Sequence, residues 1–372
     1  MNVLFLDSID RETYGGMEEW IRLVTNGLAE RGHKCLVVGR PESAFLRRVK
    51  SLVVSTAPLA ISGDFNPLTI SRLRQLLFAH EIDLVCVNFT KDIRLGGLAA
   101  RWAGAAKVVW SVGLDITKNT FAHRWLTPKL IDGVVVPSDS LKRQITALGY
   151  IRPESVSVVP IGIEDTEGTV VSPVVAAEIR IKLKLPSESI IAVTVGRFVE
   201  QKGHTTLIDA LPTMLQSSPD LYCLFIGSGP LEEDLRARAE ALGVLQHVVF
   251  GGMVDDVTPF IAGADLMIHP SVEEPFGIAV LEGMRASLPI VASNVGGIPE
   301  VVGSGGGTKL VEARNPSELA GAVTSLVRDR AKMRKSGELN RQRFIEKFSL
   351  QVMIDRVESA FSRITSMELH RG

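Results

Sequence analysis

The segment IIAVTVGRFVEQKG (residues 190–203) combines an apolar run with a glycine turn and two cations. Residues 190–196 are apolar on both faces of the predicted strand, which is typical of a parallel sheet covered by helices on both sides. A helical pattern, Thr205–Leu215, follows directly. The segment therefore predicts a strand-turn-helix unit with charged residues at the carboxyl end of its strand.

Similar apolar runs recur on both sides of this segment, separated by amphipathic stretches. They are residues 3–7, 35–39, 84–88, 107–112, 133–138 and 156–160 before it, and 221–227, 248–252, 266–271 and 289–294 after it. Two such series predict two α/β domains with parallel sheets. Residues 162–175 carry an acidic cluster without apolar periodicity and are the predicted linker. We place the domains at 1–165 and 166–352, with a final helix at about 353–372 that crosses back to the first domain.

The composition is that of a globular protein and excludes several functional classes. The 372 residues are 45% hydrophobic and 22% charged, with 41 Lys and Arg against 42 Asp and Glu. A net charge of −1 is too balanced for a chain that neutralises many phosphates, so no nucleic-acid partner is expected. The longest uncharged runs, 241–254 and 286–299, are shorter than the roughly 20 apolar residues that span a bilayer.

The amino terminus and the cysteines favour a cytoplasmic protein. The first residues, MNVLFLD, lack the basic region, long apolar region and cleavage site of a secretory signal. Cys35, Cys86 and Cys223 lie in apolar runs, are odd in number and form no Cys-x-x-Cys pair. We expect three buried thiols in a reducing compartment.

Arg197 and Lys202 are candidate phosphate ligands. Arg197 follows Gly196 at the end of the predicted strand, and Lys202 comes five residues later, before the next helix. A guanidinium and an ammonium at the carboxyl end of a strand can neutralise two phosphates, although two solvated loop cations would give the same pattern. Gly227 opens a second glycine turn, Gly-Ser-Gly-Pro, which lacks the third glycine of a dinucleotide fingerprint.

The stretch HPSVEEPFGIAVLEGM (residues 269–284) contains two glutamates, Glu274 and Glu282. Pro275 is a favoured first residue of a helix, which places Glu274 at the mouth of a helix and Glu282 about two turns in. A half-buried carboxylate needs hydrogen-bond donors, and the vicinal hydroxyls of a sugar supply two. The alternative for either glutamate is a surface charge that complements the helix dipole.

Gly15 and Gly16 open the helical pattern Met17–Arg31 after the first predicted strand. Glycines at a helix amino terminus let an anion approach free N–H groups, although an ordinary tight turn is the alternative. The seven histidines are scattered and the chain contains no Asp-x-Asp pair, so no metal is expected.

In their order along the chain, these motifs resemble the family 4 glycosyltransferases, retaining enzymes of the GT-B architecture. The resemblance is carried by Gly15-Gly16, Ala29–His33, Val195–Gly203, Phe225–Pro230, Glu274 with Glu282, and Val295–Glu300. It implies two Rossmann-like parallel-sheet domains that face each other across a cleft. It also implies an enzyme that uses a nucleotide sugar, a UDP- or GDP-sugar, as donor and needs neither a cofactor nor a metal.

The resemblance also implies roles for individual residues. Arg197 and Lys202 would bind the diphosphate and stabilise it as a leaving group, Glu274 would hold sugar hydroxyls, and Glu282 would bind the ribose diol. Further donor contacts would come from Gly15, Gly16, Gly196 and Gly227, from the main chain at Met253 and Val254, and from the amides of Phe276, Gly277 and Ile278. Front-face attack, with the departing phosphate oxygen taking the acceptor proton, would give retention.

The chain departs from the family pattern on the acceptor side. The family often has a histidine after the strand that corresponds to residues 107–112, where this chain has Trp-Ser-Val-Gly-Leu-Asp with Asp115 as the candidate polar group. It also lacks the asparagine often found before Gly162. Two alternatives to a transferase remain: a GT-B nucleotide-sugar epimerase, and a nucleotide-sugar-binding protein without turnover.

The acceptor is expected to be a glycan, a lipid-linked glycan or a small molecule. Two basic apolar stretches, 45–50 and 121–126, are candidates for contact with an anionic membrane leaflet, with a solvated helix face as the alternative. Such contact would favour a lipid-linked acceptor and a peripheral position on the inner face of the plasma membrane. The expected role is in cell-envelope polysaccharide or lipopolysaccharide biosynthesis.

Overall fold

The computed structural model describes residues 1–9, 12, 15–49, 54–104, 106–113, 120–166 and 169–366. The chain divides into two compact units. The first consists of Met1–Ile161 together with Leu350–Gly372, and the second of Gly162–Ser349. Each unit contains one sheet of parallel strands with helices on both faces, which is the α/β class predicted from the apolar runs.

The first unit contains strands β1 (Asn2–Leu6), β2 (Lys34–Gly39), β3 (Ser55–Pro58), β4 (Leu84–Val87), β5 (Lys107–Ser111), β6 (Gly133–Val136) and β7 (Val156–Val158). The second contains β8 (Ile190–Val195), β9 (Leu221–Ile226), β10 (Val248–Gly252), β11 (Leu266–His269), β12 (Ile290–Ser293) and β13 (Thr308–Val311). The helices are, in chain order, α1 (Gly16–Glu30), α2 (Ala44–Val49), α3 (Pro67–Ala79), α4 (Thr90–Ala103), α5 (Phe121–Leu130), α6 (Asp139–Ala147), α7 (Pro173–Lys182), α8 (His204–Ser217), α9 (Glu232–Ala241), α10 (Thr258–Ala262), α11 (Ile278–Arg285), α12 (Ile298–Val302), α13 (Pro316–Val327), α14 (Arg330–Phe348) and α15 (Leu350–Ser366).

Both sheets have the strand order of a Rossmann fold. Within the described residues the first sheet runs β3-β2-β1-β4-β5-β6-β7 and the second β10-β9-β8-β11-β12-β13. The order reverses between β1 and β4 in one sheet and between β8 and β11 in the other. Ligands of such sheets bind outside the carboxyl ends of the strands at this switch point. We therefore expect a ligand site at the loops after β8 and β11.

The first sheet is covered by two different helical layers. Helices α3, α4, α5 and α6 pack on one face, with Leu77 and Ile93 in the core, while α1, α2 and α15 pack on the other, with Trp20 and Ile354. Successive strand residues alternate between the two layers because side chains on a strand point to opposite faces.

Helix α15 is held in the first unit by close packing and by ion pairs. A Cβ on Gly27 of α1 would lie 2.6 Å from Ile354 Cγ1, so α15 can approach α1 only because this position has no side chain. Arg31 donates to Glu358 at 2.8 Å and pairs with Asp355 at 2.6 Å. These contacts tie the end of the chain to its first 161 residues.

Two expectations from the sequence differ from the structure. Pro173–Val175, placed in the linker, form the first turn of α7. In the basic stretch 45–50, the side chains of Phe45, Leu46 and Val49 are buried in the core. The spacing of the apolar residues turns this face of α2 toward the sheet, so a membrane contact through it is wrong.

Candidate active site

The loops that follow β8 and β11 bring several of the predicted residues together at the switch point of the second sheet. Gly196 and Arg197 follow β8, and Lys202 ends a short 3₁₀ turn, Glu200–Lys202, before α8. Glu274 lies in the loop between β11 and α11. The two loops touch, since the amide of Val272 donates to the carbonyl of Gln201 at 2.7 Å.

Glu274 is the centre of a buried polar cluster. Lys202 Nζ donates to Glu274 Oε2 at 2.6 Å, and His269 Nε2 lies 3.0 Å from the same oxygen. Ser271 Oγ lies 3.0 Å from His269 Nε2 and 3.5 Å from Glu274 Oε2. Burial alone would raise the pKa of Glu274, but the hydrogen bond and charge of His269 and the charge of Lys202 outweigh it and lower the pKa to about 2.

This arrangement leaves one oxygen of Glu274 available for a ligand. All of the contacts above converge on Oε2, and Oε1 accepts no hydrogen bond from any residue that the structure describes. A carboxylate that is fixed through one oxygen and open at the other can accept a hydroxyl donor with a defined orientation.

Arg197 is an exposed cation in the loop after β8 that also carries Lys202. Its guanidinium has no hydrogen-bond or ion-pair partner within the described residues. Lys202 keeps two further N–H donors after pairing with Glu274. The edge therefore presents a free guanidinium and a partly engaged ammonium, which is a suitable charge pattern for a diphosphate.

Glu282 lies closer to the start of its helix than expected from the sequence. Helix α11 begins at Ile278 with Gly277 as its N-cap, so Pro275 lies in the preceding loop and Glu282 is about one turn into the helix. The reason is that Gly277 has φ +105°, a backbone conformation that interrupts helical geometry after Pro275.

The carboxyl group of Glu282 is half-buried and lacks a hydrogen-bond or ion-pair partner among the described residues. Burial raises its pKa to about 7; Arg285 lowers it and Asp256 raises it further by smaller amounts. A carboxylate in this state gains free energy from any ligand that donates hydrogen bonds to it.

The amino end of α11 offers free main-chain donors. The amides of Phe276, Gly277 and Ile278 donate to no acceptor within the described part of the chain. The first N–H groups of a helix point outward from its amino end, and this end is the positive end of the helix dipole. Both properties favour binding of an anion there. These three amides and the two cations are therefore candidates for the same anionic group.

Glycines allow the loops at this edge to pack main chain against main chain. A Cβ on Gly227 would overlap the carbonyl oxygen of Gly196, and a Cβ on Gly296 would overlap the carbonyl oxygen of Glu274. The amide of Gly297 donates to that same Glu274 oxygen at 3.0 Å. The glycines thus fix the position of the Arg197 and Glu274 loops, a structural role that their spacing in the sequence did not reveal.

The remaining predicted residues have different settings. Met253, after β10, is 78% exposed, and Val254 is half-buried beside it. Gly15 is the N-cap of α1 and donates to Glu18 Oε2 at 2.7 Å, with Gly16 as the first helical residue, in the first unit. Asp115 lies outside the described residues.

Sequence reasoning missed two residues of the cluster, His269 and Ser271, and a further histidine close to its charges, His204. His269 and Ser271 stand in the same stretch as Glu274, so their proximity to it was a usable signal. His204 is buried against Phe198, with ring centroids 5.1 Å apart, and burial together with the charges of His269 and Lys202 lowers its pKa to about 3. His204 is therefore neutral and adds no charge to the site.

A second group of carboxyl side chains, also missed, lies at the switch point of the first sheet. Asp7, Glu18 and Asp92 are each at least 98% buried, and no described cation pairs with them. Burial, followed by the charge of Asp7, raises the pKa of Asp92 to about 8, and burial raises that of Asp7 to about 7. Among the residues that the structure describes, Asp92 Oδ1 and Glu18 Oε1 have no hydrogen-bond partner.

Three further features belong to the part of the chain that the structure describes. Among these residues, no group of three or more His, Cys, Asp or Glu side chains could hold a metal ion. No described helix has the length and apolar character needed to cross a membrane. The three cysteines are free and buried.

Two family models match the chain. The model described as glycosyl transferases group 1 matches residues 175–343, and that described as glycosyltransferase family 4 matches residues 14–167. The first match lies within the second structural unit, and the second match lies in the first unit apart from its last six residues, 162–167.

Similar proteins include bacterial enzymes of glycolipid biosynthesis. A lipopolysaccharide core biosynthesis glycosyltransferase of Rhizobium meliloti is 26% identical over 92% of this chain and 94% of its own. A GDP-mannose-dependent α-(1-6)-phosphatidylinositol monomannoside mannosyltransferase of Mycobacterium tuberculosis is 30% identical over 74% of this chain and 75% of its own.

Solved structures share the fold over almost the whole chain. The Anabaena protein HepE in complex with UDP has a TM-score of 0.85 and 21% identity, with 98% of this chain and all of that chain covered. A glycosyltransferase from Rickettsia africae has a TM-score of 0.86 and 19% identity, covering 99% of both chains.

Proposed function

The chain belongs to the glycosyl transferases group 1 family and is a glycosyltransferase of the GT-B type, and we propose that it transfers a sugar from a UDP- or GDP-sugar with retention of configuration. The observation that carries this proposal is the site at the carboxyl ends of β8 and β11. There, Lys202 pairs with Glu274, a carboxylate whose other oxygen has no partner among the described residues. The loop that carries Lys202 also carries Arg197, which is unpaired in the same part of the chain, and the loop that carries Glu274 leads to the amino end of α11.

In the proposed reaction, the bond between the anomeric carbon and the diphosphate breaks, and the diphosphate leaves with the electron pair. Arg197, Lys202 and the amides of Phe276, Gly277 and Ile278 stabilise the charge that develops on it. Glu274 Oε1 accepts from a sugar hydroxyl, and Glu282 accepts from the ribose diol. The acceptor hydroxyl attacks the same face and passes its proton to the departing phosphate oxygen, so no metal or cofactor takes part.

Several predicted contacts remain part of the proposal. Gly196 and Gly227 would let the diphosphate approach the main chain, and Met253 and Val254 would contact the base. Gly15 and Gly16 are further proposed donor contacts, and Asp115 would serve on the acceptor side.

The acceptor is proposed to be an envelope glycan or a lipid-linked glycan. Support comes from similar proteins whose names place them in lipopolysaccharide core and phosphatidylinositol mannoside biosynthesis. We place the enzyme in the cytoplasm, where a lipid-linked acceptor would require it to work as a peripheral protein at the inner face of the membrane.

Turnover of site variants tests the proposal. UDP or GDP release from UDP-glucose, UDP-galactose and GDP-mannose would be measured for the wild type, Arg197→Ala and Lys202→Ala, with the exposed Lys309→Ala as a matched control. Each site variant should lose about tenfold to a hundredfold, because a hydrogen bond to a charged group contributes about 1.5–3 kcal/mol. Normal turnover in both would refute the assignment.

Analysis of the product by proton NMR separates the alternatives. A transferred sugar with the donor's anomeric configuration supports retention. Inversion, or an epimerised nucleotide sugar in place of a transfer product, would contradict the proposed reaction.

A further inference from the structure

One side of the first unit carries an unusual set of exposed apolar side chains. Among the described residues of this unit, every large hydrophobic side chain that is strongly exposed lies on or next to α3, α4 and α5. They are Phe65 at 53%, Leu68 at 71%, Phe78 at 51%, Trp102 at 57%, Phe121 at 84% and Trp125 at 58% exposure. Single exposed apolar residues are ordinary, but a set confined to one helical layer marks an interaction surface.

The charge of the same layer is strongly one-sided. Its cations are Arg72, Arg74, Lys91, Arg94, Arg101, Arg124 and Lys129, and the acidic residue within these three helices is the fully buried Asp92. Helices α1, α2 and α15 on the opposite face carry five Arg against five Asp and Glu. The positive charge is therefore a property of one face and not of the unit as a whole.

Cations and aromatic rings are paired on this surface. The Arg74 guanidinium lies 5.0 Å from the ring centroid of Phe78 and 4.7 Å from that of Trp102. Lys129 Nζ lies 3.7 Å from the ring centroid of Trp125. Each pair presents an aromatic ring beside a positive charge, and the amphipathic indole rings of Trp102 and Trp125 prefer the polar-apolar boundary of a bilayer.

We propose that the outer face of α3, α4 and α5 docks on an anionic phospholipid bilayer. The cations would attract anionic headgroups, and Leu68, Phe121, Trp102 and Trp125 would enter the interfacial region. This corrects the expectation from sequence, which placed membrane contact on residues 45–50 as well as 121–126; the structure supports only the second stretch and adds α3 and α4 to it.

A bilayer fits this surface better than a protein partner, because apolar side chains and cations are interleaved across three helices and most of the cations have no acidic partner among the described residues. Acidic residues at its border pair with two of the cations, Asp64 with Arg94 and Asp132 with Arg101. The proposal extends the membrane contact in the proposed function. Vesicle binding is measured without donor or acceptor, so failure of either proposal can be told from failure of the other.

Co-sedimentation with vesicles tests the proposal. The full chain would be mixed with vesicles of phosphatidylcholine alone, or of phosphatidylcholine with about one third phosphatidylglycerol. The wild type should bind the anionic vesicles, bind neutral vesicles at least about tenfold more weakly, and lose binding as salt is raised. Equal binding to both kinds of vesicle, or binding to neither, would overturn the proposal.

Variants of exposed residues locate the contact. The double variant Arg72→Glu, Arg124→Glu should lower binding about tenfold or more, since each cation near an anionic surface contributes about a fivefold factor. The separate double variant Trp102→Ser, Trp125→Ser should lower binding by a similar factor, because two rings that enter the interfacial region are removed. Controls in the second unit are Lys332→Glu with Lys335→Glu, and Ile181→Ser with Ile345→Ser, whose side chains are also exposed. Melting temperature and donor-induced thermal shift should stay at wild-type values in all four variants.

Two results would reject this surface. One is equal loss of binding in the layer variants and their controls. The other is a wild type that does not bind vesicles and forms a dimer in sedimentation velocity, with the dimer lost in the Trp102→Ser, Trp125→Ser variant. A second copy of the chain would then occupy the face.

Discussion

Replacing Glu282 with Gln should make the protein more stable and a weaker binder of its donor. The wild-type carboxyl is half-buried without a hydrogen-bond partner in the described structure, and burial raises its pKa from 4.5 to about 7. At about 1.4 kcal/mol per pKa unit this rise corresponds to about 3 kcal/mol. Solvent screening of a half-buried group reduces the expected effect to about 1–2 kcal/mol.

The raised pKa of Glu282 determines how the stability gain of the variant depends on pH. Because the folded-state pKa is above the ordinary value, the folded protein binds more protons than the unfolded chain between about pH 4.5 and 7, and the wild type loses stability as the pH rises through this range. Glu282→Gln removes the loss, so its advantage should be near zero at pH 4.5 and complete above pH 8.

Urea denaturation and thermal melting at the two pH values would measure the effect. The expected gain at the higher pH is about 2–8 °C in Tm for a unit of this size. Glu233→Gln, at an exposed position of α9, is the matched control and should change nothing. A loss of stability in Glu282→Gln at high pH, or an equal gain at both pH values, would refute the reasoning. Donor affinity should fall about tenfold, because the amide accepts fewer hydrogen bonds than the carboxylate.

Three further outcomes are expected. Turnover should survive EDTA, since Arg197 and Lys202 supply the positive charge; loss on chelation that a divalent ion restores would contradict this. His269→Phe should lower kcat/KM about tenfold without loss of fold, because Glu274 Oε2 loses a hydrogen-bond donor. His269→Gln should recover part of the lost kcat/KM. Equal activity in the two variants would argue that His269 does not position Glu274. Asp92→Asn should stabilise the protein by about 1–3 kcal/mol at pH 9 and little at pH 4. The reason is the raised pKa of Asp92, because of which the wild type loses stability as this carboxyl ionises. An equal effect at both pH values in urea denaturation would show that the burial argument is wrong.

The sequence predicted the alternation of strands and helices because parallel strands buried on both faces form continuous apolar runs. It missed Ser55–Pro58 and Thr308–Val311, which lie at the outer edges of the two sheets. Edge strands pair on one side only, are short, and tolerate polar residues and proline, so they lack the apolar signal.

At the site, the residue types could be predicted but their connections could not. Glycine turns, cations and two glutamates indicated a ligand at the ends of the strands. The convergence of Lys202, His269 and Ser271 on Glu274 Oε2 depends on how the loops after β8 and β11 meet. The burial of Asp7 and Asp92 likewise follows from the pairing of β1 with β4, which lie about 80 residues apart in the chain.

The most direct test of the proposed site is to separate the contribution of the diphosphate to binding from that of the nucleoside. Isothermal titration would compare UDP with uridine and GDP with guanosine, for the wild type and for the double variant Arg197→Ala, Lys202→Ala. The wild type should bind one diphosphate at least about a hundredfold more tightly than its nucleoside, and the double variant should lose most of this difference while nucleoside affinity is unchanged. An undiminished preference for the diphosphate in the double variant would contradict the proposed site.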